Sequence, residues 1–401
     1  MTAPGSLHSQ PPGGTQAASG GPARPEACDF LVVGAGIAGA SVAYELAALG
    51  RVIVLEREDQ PGYHTTGRSA ALFSETYGNA TMRALTRAGR GFLLEPPPGF
   101  TAQPILTPRG TLLVGTAQQR GALERSFAEC GAVPGLALWS GAMVRARVPA
   151  FTPEQVAGAV WEPHAMDIDV HALHQGFLRA ARGRGSRLLC NAGVEALERS
   201  AGRWRVQSRA GEFSAAVVVN AAGAWADEFA QLAGARNVGL QPLRRTVITF
   251  DAPAGATLQQ WPAVIDVDEQ YYFKPEAGRL LGSLADETPS PPCDAQPDEY
   301  DIAMLVERIS NATTLQIRRI HSKWAGLRSF VADRTLVAGY DAMVPGFFWL
   351  AGQGGYGIQT ASGASRAAAA LIAERALPGD LQDLGLRAQD LSPQRIAASI
   401  P

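Results

Sequence analysis

The chain has 401 residues, of which 46% are hydrophobic, so it can bury one large core or two medium ones. A formal net charge of −2 and a pI near 6.3 give no reason to expect a nucleic-acid partner. The four cysteines are far apart and form no CxxC pair, so neither a disulfide framework nor a zinc site is predicted, and a reducing cytoplasm is the expected location.

The N-terminal residues 1–27 are rich in Gly, Pro, Ser, Ala and Gln and contain no apolar stretch. Such a segment cannot bury enough surface to fold and lacks the basic and apolar regions of a signal peptide, so a disordered lead is predicted. No window of the chain reaches the roughly 18 apolar residues of a membrane span, although peripheral contact with a membrane stays open.

The stretch FLVVGAGIAGASVAYELAALGRVIVLERE, residues 30–58, has the pattern of a dinucleotide-binding βαβ unit. A buried parallel strand is predicted over Phe30–Val33, a helix over Ile37–Leu49 and a second strand over Val52–Leu55. The N-terminus of the helix then faces a diphosphate.

The glycines and the acid of this unit have separate tasks. Gly34 allows a tight turn, Gly36 allows the backbone to approach a pyrophosphate, and Gly39 allows the helix to pack closely on the strand. Glu56 lies 22 residues after Gly34, where its carboxylate can accept the hydroxyls of an adenosine ribose and would repel a 2′-phosphate. The motif alone does not distinguish FAD from NAD.

Later segments indicate two interleaved domains. Residues 187–234 combine an alternating strand pair around Ala201–Gly202 with a strand over Ala215–Val219 that extends the nucleotide-binding sheet. A strand over Phe347–Leu350, a glycine loop and an alanine-rich helix provide a second helix N-terminus for an anionic part of the cofactor. In contrast, the segments LRRTVITFDAP and EQYYFKPEAGRLLGSLA alternate like antiparallel strands and predict a separate, substrate-covering sheet.

Four motifs together resemble the D-amino-acid oxidase family of FAD enzymes, and within it the FAD-dependent D-arginine dehydrogenases. They are the three glycines with Glu56, TTGRSAA at 65–71, NAAGAWAD at 220–227 and GQGGYGIQ at 352–359. The similarity extends from Asp29 to about Pro393 through QPGYHTTGRSAA, MDIDVHALHQG and WAGLRSFVAD. It implies that the cofactor is FAD rather than NAD.

The patterns and the resemblance together predict an α/β fold. A doubly wound, Rossmann-like FAD-binding domain is expected to be interleaved with an antiparallel-sheet α+β substrate domain. The discontinuous FAD-binding domain is placed in residues 28–77, 155–240 and 325–376. The substrate domain is placed in 78–154 and 241–324, followed by a C-terminal tail in 377–401.

The resemblance also implies a reaction and five catalytic-site residues. Such enzymes move a hydride from the α-carbon of an amino acid to flavin N5, and the protein's task is to orient the substrate. Arg245 and Arg328 match the family's substrate arginines, whose planar forks suit a carboxylate; the alternative is a surface ion pair. Tyr77 and Tyr272 can hydrogen-bond that carboxylate, and Gly355 matches a glycine whose carbonyl accepts from the substrate amine.

Each of these smaller assignments has an ordinary structural alternative. Tyr77 lies in LFSETYGN, which resembles the mobile loop over the family's active site, but a tyrosine taken alone is more often core or surface. Tyr271 should point away from Tyr272 if their strand is regular. Gly355 could equally be a loop glycine.

Further residues match the family's FAD site. They are Gly34, Gly36, Ile37, Ala38, Gly39, Glu56, Arg57, Thr66, Arg68, Ser69, Ala71, Val194, Ala222, Gly223, Arg328, Gly352, Gly354, Gly355, Tyr356, Gly357, Ile358 and Gln359. Because the linkage motifs of relatives that attach flavin through a histidine are not reproduced around His64, FAD is expected to bind non-covalently.

The acidic and histidine-containing segment His164–His174 could suggest a metal, but its order is a turn followed by a helix. Asp169 or a neighbour is expected to cap a helix from about Val170 to Arg182, and no metal site is predicted.

Two positions depart from the D-arginine dehydrogenase pattern. Thr111 and Leu72 stand where those enzymes have a glutamate and a histidine. A neutral hydroxyl cannot offset the free-energy cost of burying a charged guanidinium. A D-amino acid with a neutral or apolar side chain is therefore the expected substrate. Glu75 is close in sequence and could replace the missing acid, although a solvated loop glutamate is the preferred interpretation.

Two other functions stay open. One is an oxidase of glycine, sarcosine or another secondary amine; the other is an FAD-binding subunit without turnover that serves electron transfer. The arginine pair argues against the second. The electron acceptor stays open between a quinone, another carrier and oxygen.

Overall fold

The structure is a computed structural model that describes residues 24–397. Its strands are β1 (Glu26–Val33), β2 (Val52–Leu55), β3 (Leu72–Phe73), β4 (Leu106–Pro108), β5 (Thr111–Gly115), β6 (Ala137–Ser140), β7 (Gly158–Glu162), β8 (Met166–Ile168), β9 (Arg187–Leu189), β10 (Val194–Ser200), β11 (Arg203–Ser208), β12 (Gly211–Asn220), β13 (Gln241–Phe250), β14 (Ala263–Asp266), β15 (Tyr272–Glu276), β16 (Arg279–Ser283), β17 (Thr288–Pro289), β18 (Ile320–Phe330), β19 (Val337–Tyr340) and β20 (Phe347–Ala351). Its helices are α1 (Ile37–Leu46), α2 (Ala80–Leu94), α3 (Arg120–Cys130), α4 (Gly141–Arg147), α5 (Val170–Gly183), α6 (Ala226–Leu232), α7 (Glu299–Ala312), α8 (Gly357–Ile372), α9 (Gly379–Asp383), α10 (Ala388–Leu391) and α11 (Gln394–Ala397).

The first large sheet is the predicted doubly wound unit. Strands β9, β2, β1, β12 and β20 pair in parallel in that order, and the hairpin β10–β11 and strand β19 add antiparallel edges. Its strands are apolar on both faces because apolar clusters lie on both sides, one with α1, α5 and α8 and the other with α6. The predicted strands and helices of this unit are therefore present, although α1 ends at Leu46 rather than Leu49.

The N-terminal boundary differs from the prediction. Strand β1 begins at Glu26, and its first residues pair in parallel with Phe213 and Ser214 of β12, so Glu26 and Ala27 belong to the sheet. The remainder of the predicted disordered lead up to residue 23 lies outside the described residues, as do residues 398–401 of the predicted tail.

The second large sheet is the predicted antiparallel one. Its order is β17-β13-β16-β15-β14-β5-β7-β6, with β18 along β13, and only the β14–β5 pair is parallel. One face presents Leu112, Ile248, Val264 and Phe273 to a core that includes Leu305 of α7. The opposite face turns toward the first sheet.

The predicted domain limits stay a prediction, but three elements join partners on the other side of them. Strand β7 lies in the antiparallel sheet although residues 155–240 were assigned to the FAD-binding domain. Strand β18 also belongs there, although the FAD-binding segment was placed from residue 325. Helix α2, inside the expected substrate segment 78–154, packs on α8. Short strands do not show from sequence which sheet they pair with, because pairing depends on distant residues.

A small three-stranded sheet, β3-β8-β4, buries Phe73, Leu106, Met166 and Ile168 in the same core cluster as α1 and α8, and β3 leads into the segment before α2. Within residues 24–397, none of the helices has the length and apolar character needed to cross a bilayer.

Candidate active site

Three adjoining cavities hold the residues that the sequence singled out. The first cavity runs from the glycine turn after β1, at Gly36 and Thr66, to Arg328 on β18. The second cavity surrounds Glu56 and shares Gly36 and Thr66 with the first. The third cavity, lined by Leu72 and Arg328 among others, opens from the other end of the first. Together they form a continuous groove against both large sheets.

The glycine turn after β1 has the geometry that the motif predicts. Gly34 has φ +100°, and a Cβ there would lie 2.4 Å from the carbonyl oxygen of Ala221. A Cβ on Gly39 would lie 1.8 Å from the carbonyl oxygen of Gly34, so only glycine lets α1 pack this closely. At the start of helix α1, Gly36 provides no side-chain cap and the N–H of Ile37 donates to Oγ1 of Thr66 at 3.0 Å; all three residues line the first cavity.

The second cavity contains the predicted ribose acceptor. Glu56 is buried at the end of β2, and its Oε2 accepts a hydrogen bond from the backbone N–H of Ala35 at 2.8 Å. The guanidinium of Arg57 lies 3.8 Å from the centre of the Trp225 ring. Trp225 was not predicted as a site residue, although it stands within the NAAGAWAD motif that was quoted.

His64 also borders the second cavity. Its Nε2 lies 2.9 Å from Oε1 of Glu58, and its ring centre is 4.6 Å from that of Trp225. It is absent from the walls of the third cavity, where Arg245 and Arg328 lie. Non-covalent binding of FAD stays a prediction.

The second glycine loop packs against β18, the strand that carries Arg328. Gly354 has φ +54°, and a Cβ there would meet the Phe330 ring at 2.1 Å. A Cβ on Gly355 would lie 2.9 Å from Nη1 of Arg328 and 3.0 Å from the hydroxyl of Tyr77. Helix α8 then begins without a side-chain cap. Two helix N-termini that line the groove, an open glycine turn and a fixed acid thus fit an anionic dinucleotide.

The third cavity brings together four of the predicted catalytic-site side chains. Arg328 donates from Nη1 to the Tyr77 hydroxyl at 3.4 Å, and Arg245 donates from Nε to the carbonyl of Asp286 at 2.9 Å. Among the described residues, Nη2 of Arg245 and the hydroxyl of Tyr272 are buried without a hydrogen-bond partner. Buried polar groups of this kind usually have partners, so these atoms mark a place for a ligand.

The charge of this cavity favours an anion. Burial first, and then the adjacent Arg328 charge, lowers the pKa of Arg245, but a guanidinium remains protonated at any physiological pH. Nη2 of Arg245 lies 3.5 Å from Oε1 of Glu287, which also pairs with Arg334, so the local cations are only partly neutralised. Neither Arg245 nor Arg328 forms an ion pair at the protein surface, which was the alternative interpretation of these residues. Two adjacent guanidinium groups, one of which has a donor without a hydrogen-bond partner in the described chain, can bind one carboxylate.

The alternation predicted at the start of β15 is confirmed. Tyr272 lines the third cavity, whereas Tyr271 is 6% exposed and packs on Phe273, their ring centres 6.3 Å apart, in the core on the opposite face. Burial raises the pKa of the Tyr271 phenol.

Lys274 is a cavity residue that the sequence reasoning missed. It is 5% exposed, and its Nζ lies 2.9 Å from Oδ1 of Asp167 and 2.9 Å from Oε2 of Glu276. Burial acts to lower the pKa of Lys274, but the two carboxylates outweigh it and the pKa lies above its ordinary value. The available signal was its position two residues after Tyr272, on the same strand face. Glu269, exposed at the mouth of the cavity, was also missed.

The residues used to predict substrate preference lie in different places. Leu72 lines the third cavity as expected. Thr111 does not: its buried hydroxyl has no hydrogen-bond partner in the described chain, and it pairs across the sheet with Glu162. Glu75 is neither solvated nor in the cavity wall, because it forms ion pairs with Arg87 (3.4 Å) and Arg90 (3.2 Å) of α2.

Most of the predicted cofactor residues line the groove. They are Gly34, Gly36, Ile37, Ala38, Glu56, Arg57, Thr66, Arg68, Ser69, Ala71, Val194, Ala222, Gly223, Arg328, Gly354, Gly355, Gly357, Ile358 and Gln359. Gly39, Gly352 and Tyr356 are not in the cavity walls. Gly39 supports Gly34, and Tyr356 packs on Tyr77 with ring centres 4.8 Å apart.

The candidate metal segment is structural. Asp169 caps α5 by accepting a hydrogen bond from the N–H of Ala172 at 2.8 Å, which confirms the predicted cap. His174 is buried and donates from Nε2 to the carbonyl of Ala35 at 2.8 Å. Within residues 24–397, no group of three or more His, Cys, Asp and Glu side chains could hold a metal ion.

Comparison with known proteins places this groove in a family. At 27% identity over 430 residues, the chain is similar to FAD-dependent oxidoreductase domain-containing protein 1 of Bos taurus, covering 90% of this chain and 84% of that protein. The fold is similar to that of glycine oxidase from Geobacillus kaustophilus, with a TM-score of 0.76, 21% identity, and 87% of this chain and 95% of that one covered. It is also similar to L-proline dehydrogenase from P. horikoshii, with a TM-score of 0.78, 21% identity, and 94% and 99% covered.

The structural likenesses confirm the predicted fold class. These relatives do not single out D-arginine dehydrogenases, so the likeness to that subgroup stays a prediction. The family described as FAD dependent oxidoreductase (DAO) matches residues 29–371, which include every cavity described above. The chain therefore belongs to the DAO family of FAD-dependent oxidoreductases, and its cofactor is FAD.

Proposed function

We propose that this flavoprotein oxidises the Cα–N bond of D-amino acids and prefers neutral or apolar side chains to cationic ones. The family shows the coarser class, an FAD-dependent oxidoreductase, and the likeness to glycine oxidase and L-proline dehydrogenase supports an amine or amino-acid substrate. The observation that carries the proposal of an amino-acid substrate is the pair of the buried Arg245 and the partly buried Arg328 at the junction of the first and third cavities, where Nη2 of Arg245 has no hydrogen-bond partner among the described residues.

The side chains of the third cavity have separable tasks. Arg328 and Arg245 bind the substrate carboxylate, and the hydroxyls of Tyr77 and Tyr272 donate to its remaining lone pairs. The carbonyl of Gly355 accepts from the substrate amine. When bound, FAD supplies the redox chemistry by accepting the α-hydrogen as a hydride at N5. Holding the carboxylate and amine at two fixed points directs the α-hydrogen in one direction, which is the basis of stereochemical preference.

The sequence based the side-chain preference on Thr111 and Leu72; of these only Leu72 lines the third cavity, and Lys274 lies in the same wall. Lys274 places a positive charge in the wall beside the apolar Leu72 and Ile265. The two carboxylates beside Lys274, those of Asp167 and Glu276, are already paired with it, so a guanidinium or ammonium side chain would lose hydration without gaining a free counter-charge there. An aliphatic side chain instead gains about 25 cal/mol per Å² of buried apolar surface. Glu269 at the rim has the opposite sign, but it is exposed and therefore more strongly screened.

Anaerobic mixing of the purified holoprotein with a panel of amines tests the proposal. Bleaching of the visible flavin absorbance should be fastest with neutral D-amino acids, slower with D-arginine and D-lysine, and poor with L-enantiomers. Fastest bleaching by glycine or sarcosine would instead support an oxidase of small amines. No bleaching with any amine would support a subunit that binds FAD without amine turnover. Release of FAD on acid precipitation would agree with non-covalent binding.

A further inference from the structure

One buried carboxyl near the site has no part in the scheme above. Glu162, at the end of β7, is 3% exposed and accepts three hydrogen bonds from one short segment. The donors are the Ser74 hydroxyl at 2.7 Å, the Glu75 backbone N–H at 2.7 Å and the Thr76 hydroxyl at 2.8 Å. Both carboxylate oxygens are used, so the segment is tied to the antiparallel sheet through a single side chain.

The tied segment leads directly into the active site. Tyr77 follows Thr76, its phenol accepts a hydrogen bond from Arg328 at 3.4 Å, and its ring packs on Tyr356. After Tyr77 the chain turns at Gly78, which has φ +91°, and Asn79 caps α2. The phenol is therefore placed by what holds the residues on either side of it.

We propose that Glu162 is a positioning residue, which fixes Ser74–Thr76 and thereby holds the Tyr77 hydroxyl beside Arg328 for the substrate carboxylate. The inference rests on the proposed carboxylate site but is independent of the stereochemistry of the substrate. A carboxylate suits this task because it offers acceptors to three donors in different directions. The effect passes through hydrogen bonds to backbone and hydroxyl groups and requires no contact between Glu162 and the substrate.

Two substitutions separate positioning from charge. Glu162→Met fills similar space but offers no comparable acceptor, so all three donors lose their partner. Glu162→Gln can still accept from the Glu75 N–H through Oε1, while its NH₂ donates to hydroxyls that are free to rotate. Glu162→Met should therefore raise KM for the best amine roughly tenfold with a smaller change in kcat, and Glu162→Gln should restore KM to within about threefold.

The link to Tyr77 is tested in a second background. In Tyr77→Phe the hydroxyl is already gone, so adding Glu162→Met should raise KM by no more than about twofold further. Asp341→Leu is the matched control: Asp341 also accepts three hydrogen bonds, from the N–H of Met343 and of Val344 and from Nε1 of Trp349, in a loop that lines none of the three cavities. It should lower thermal stability and leave KM unchanged.

Hydrogen exchange on the holoprotein gives a readout that needs no substrate. Amide exchange across residues 74–78 should accelerate at least tenfold in Glu162→Met and stay near the wild-type rate in Glu162→Gln. If Glu162→Met fails to fold, the pair Ser74→Ala and Thr76→Val removes two donors from the other side and should raise exchange and KM in the same direction. Unchanged exchange, or an equal KM increase with and without the Tyr77 hydroxyl, would overturn the proposal, and the exchange result stands even if no amine proves to be a substrate.

Discussion

The two faces of the antiparallel sheet use similar residues for opposite purposes. On β13, Arg244 points toward α7, where it pairs with Asp301 at 2.9 Å. Its neighbour Arg245 points into the third cavity, where its Nη2 lies 3.5 Å from Glu287 and has no hydrogen-bond partner among the described residues. At β15, Tyr271 packs in the core, while Tyr272 turns its hydroxyl to the cavity. The two members of each pair have the same residue type but lie on opposite faces of the sheet, because successive side chains of a strand alternate between its faces.

This comparison shows how the site is made. On the core face, Nη2 of Arg244 pairs with Asp298 and Asp301, although its Nε has no hydrogen-bond partner in the described chain. On the cavity face, Nη2 of Arg245 and the Tyr272 hydroxyl lack hydrogen-bond partners within the described chain, and a bound carboxylate would provide them. The matched neighbours therefore serve as controls for one another.

The largest effect is expected from Arg328→Ala. Loss of a charge-assisted pair to a desolvated carboxylate costs about 2–5 kcal/mol, which corresponds to roughly 30- to several-thousand-fold in kcat/KM. FAD should stay bound, because the glycine turns and Glu56 are untouched. Stopped-flow flavin reduction measures the change, and a change of less than about threefold would remove Arg328 from the site.

The neighbouring arginines on β13 give the sharpest contrast between faces. Arg245→Ala should lower kcat/KM by roughly 30-fold or more. Arg244→Ala should leave kcat/KM within about threefold but lower Tm, because Asp301, which is 7% exposed, loses its partner. Steady-state kinetics and thermal unfolding of both variants provide the test; equal losses of activity would abolish the distinction between faces.

The tyrosine pair should show the same contrast with a smaller amplitude. Removing the Tyr272 hydroxyl deletes a hydrogen bond to a charged group, worth about 1.5–3 kcal/mol or roughly 10- to 150-fold in KM. Tyr271→Phe should leave KM unchanged, since its ring packs on Phe273 in the core. A KM effect of Tyr271→Phe as large as that of Tyr272→Phe would place both residues at the site.

Lys274 provides a prediction about selectivity. Removing one positive charge several Å from a substrate guanidinium is worth about 1–2 kcal/mol at an effective dielectric of about 20–40. In Lys274→Met, kcat/KM for D-arginine relative to D-leucine should therefore rise roughly 5- to 30-fold. Asp167 keeps its second partner, Arg109, at 2.6 Å, which limits the structural damage. An unchanged ratio of the two kcat/KM values would mean that Lys274 does not contribute to selectivity for the substrate side chain.

The smallest effect concerns pH. Burial, reinforced by the nearby Glu75 charge and opposed by hydrogen bonds from Ser74, Thr76 and the Glu75 N–H, raises the pKa of Glu162 above its ordinary value of 4.5. The stability contributed by this group is therefore greatest below pH 4.5 and falls as pH rises through the raised pKa. Glu162→Gln lacks this titration, so its Tm relative to wild type should increase between about pH 4 and pH 7. A constant Tm difference over that range would contradict the raised pKa.

Much of the fold could be predicted from the sequence because its signals are local. The glycine turn, the strands of the first sheet, the cap at Asp169 and the alternation of Tyr271 and Tyr272 each depend on a few adjacent residues. Sheet membership of β7 and β18 could not be predicted, since it depends on pairing between distant segments.

The sequence predicted the site residues that lie within recognisable motifs. It did not predict contacts between residues that are distant in sequence. Lys274 and Asp167 are 107 residues apart in the sequence, so no local pattern predicts that they form an ion pair. Thr111 was assigned to the cavity from a matched position, but its partner across the sheet is Glu162. A carboxylate introduced at position 111 would lie beside the buried Glu162. Thr111→Glu should therefore destabilise the protein rather than create a pocket that binds cationic side chains.

The central claim is that Arg245 and Arg328 recognise the carboxylate of an amino-acid substrate. The most direct test compares flavin reduction by the best amino acid of the panel with reduction by its carboxamide, in wild type and in Arg328→Ala. The account predicts that the carboxamide is at least about 100-fold poorer with wild type and that the difference shrinks to below about tenfold in the variant. Equal reduction of the acid and the amide by wild type would contradict it.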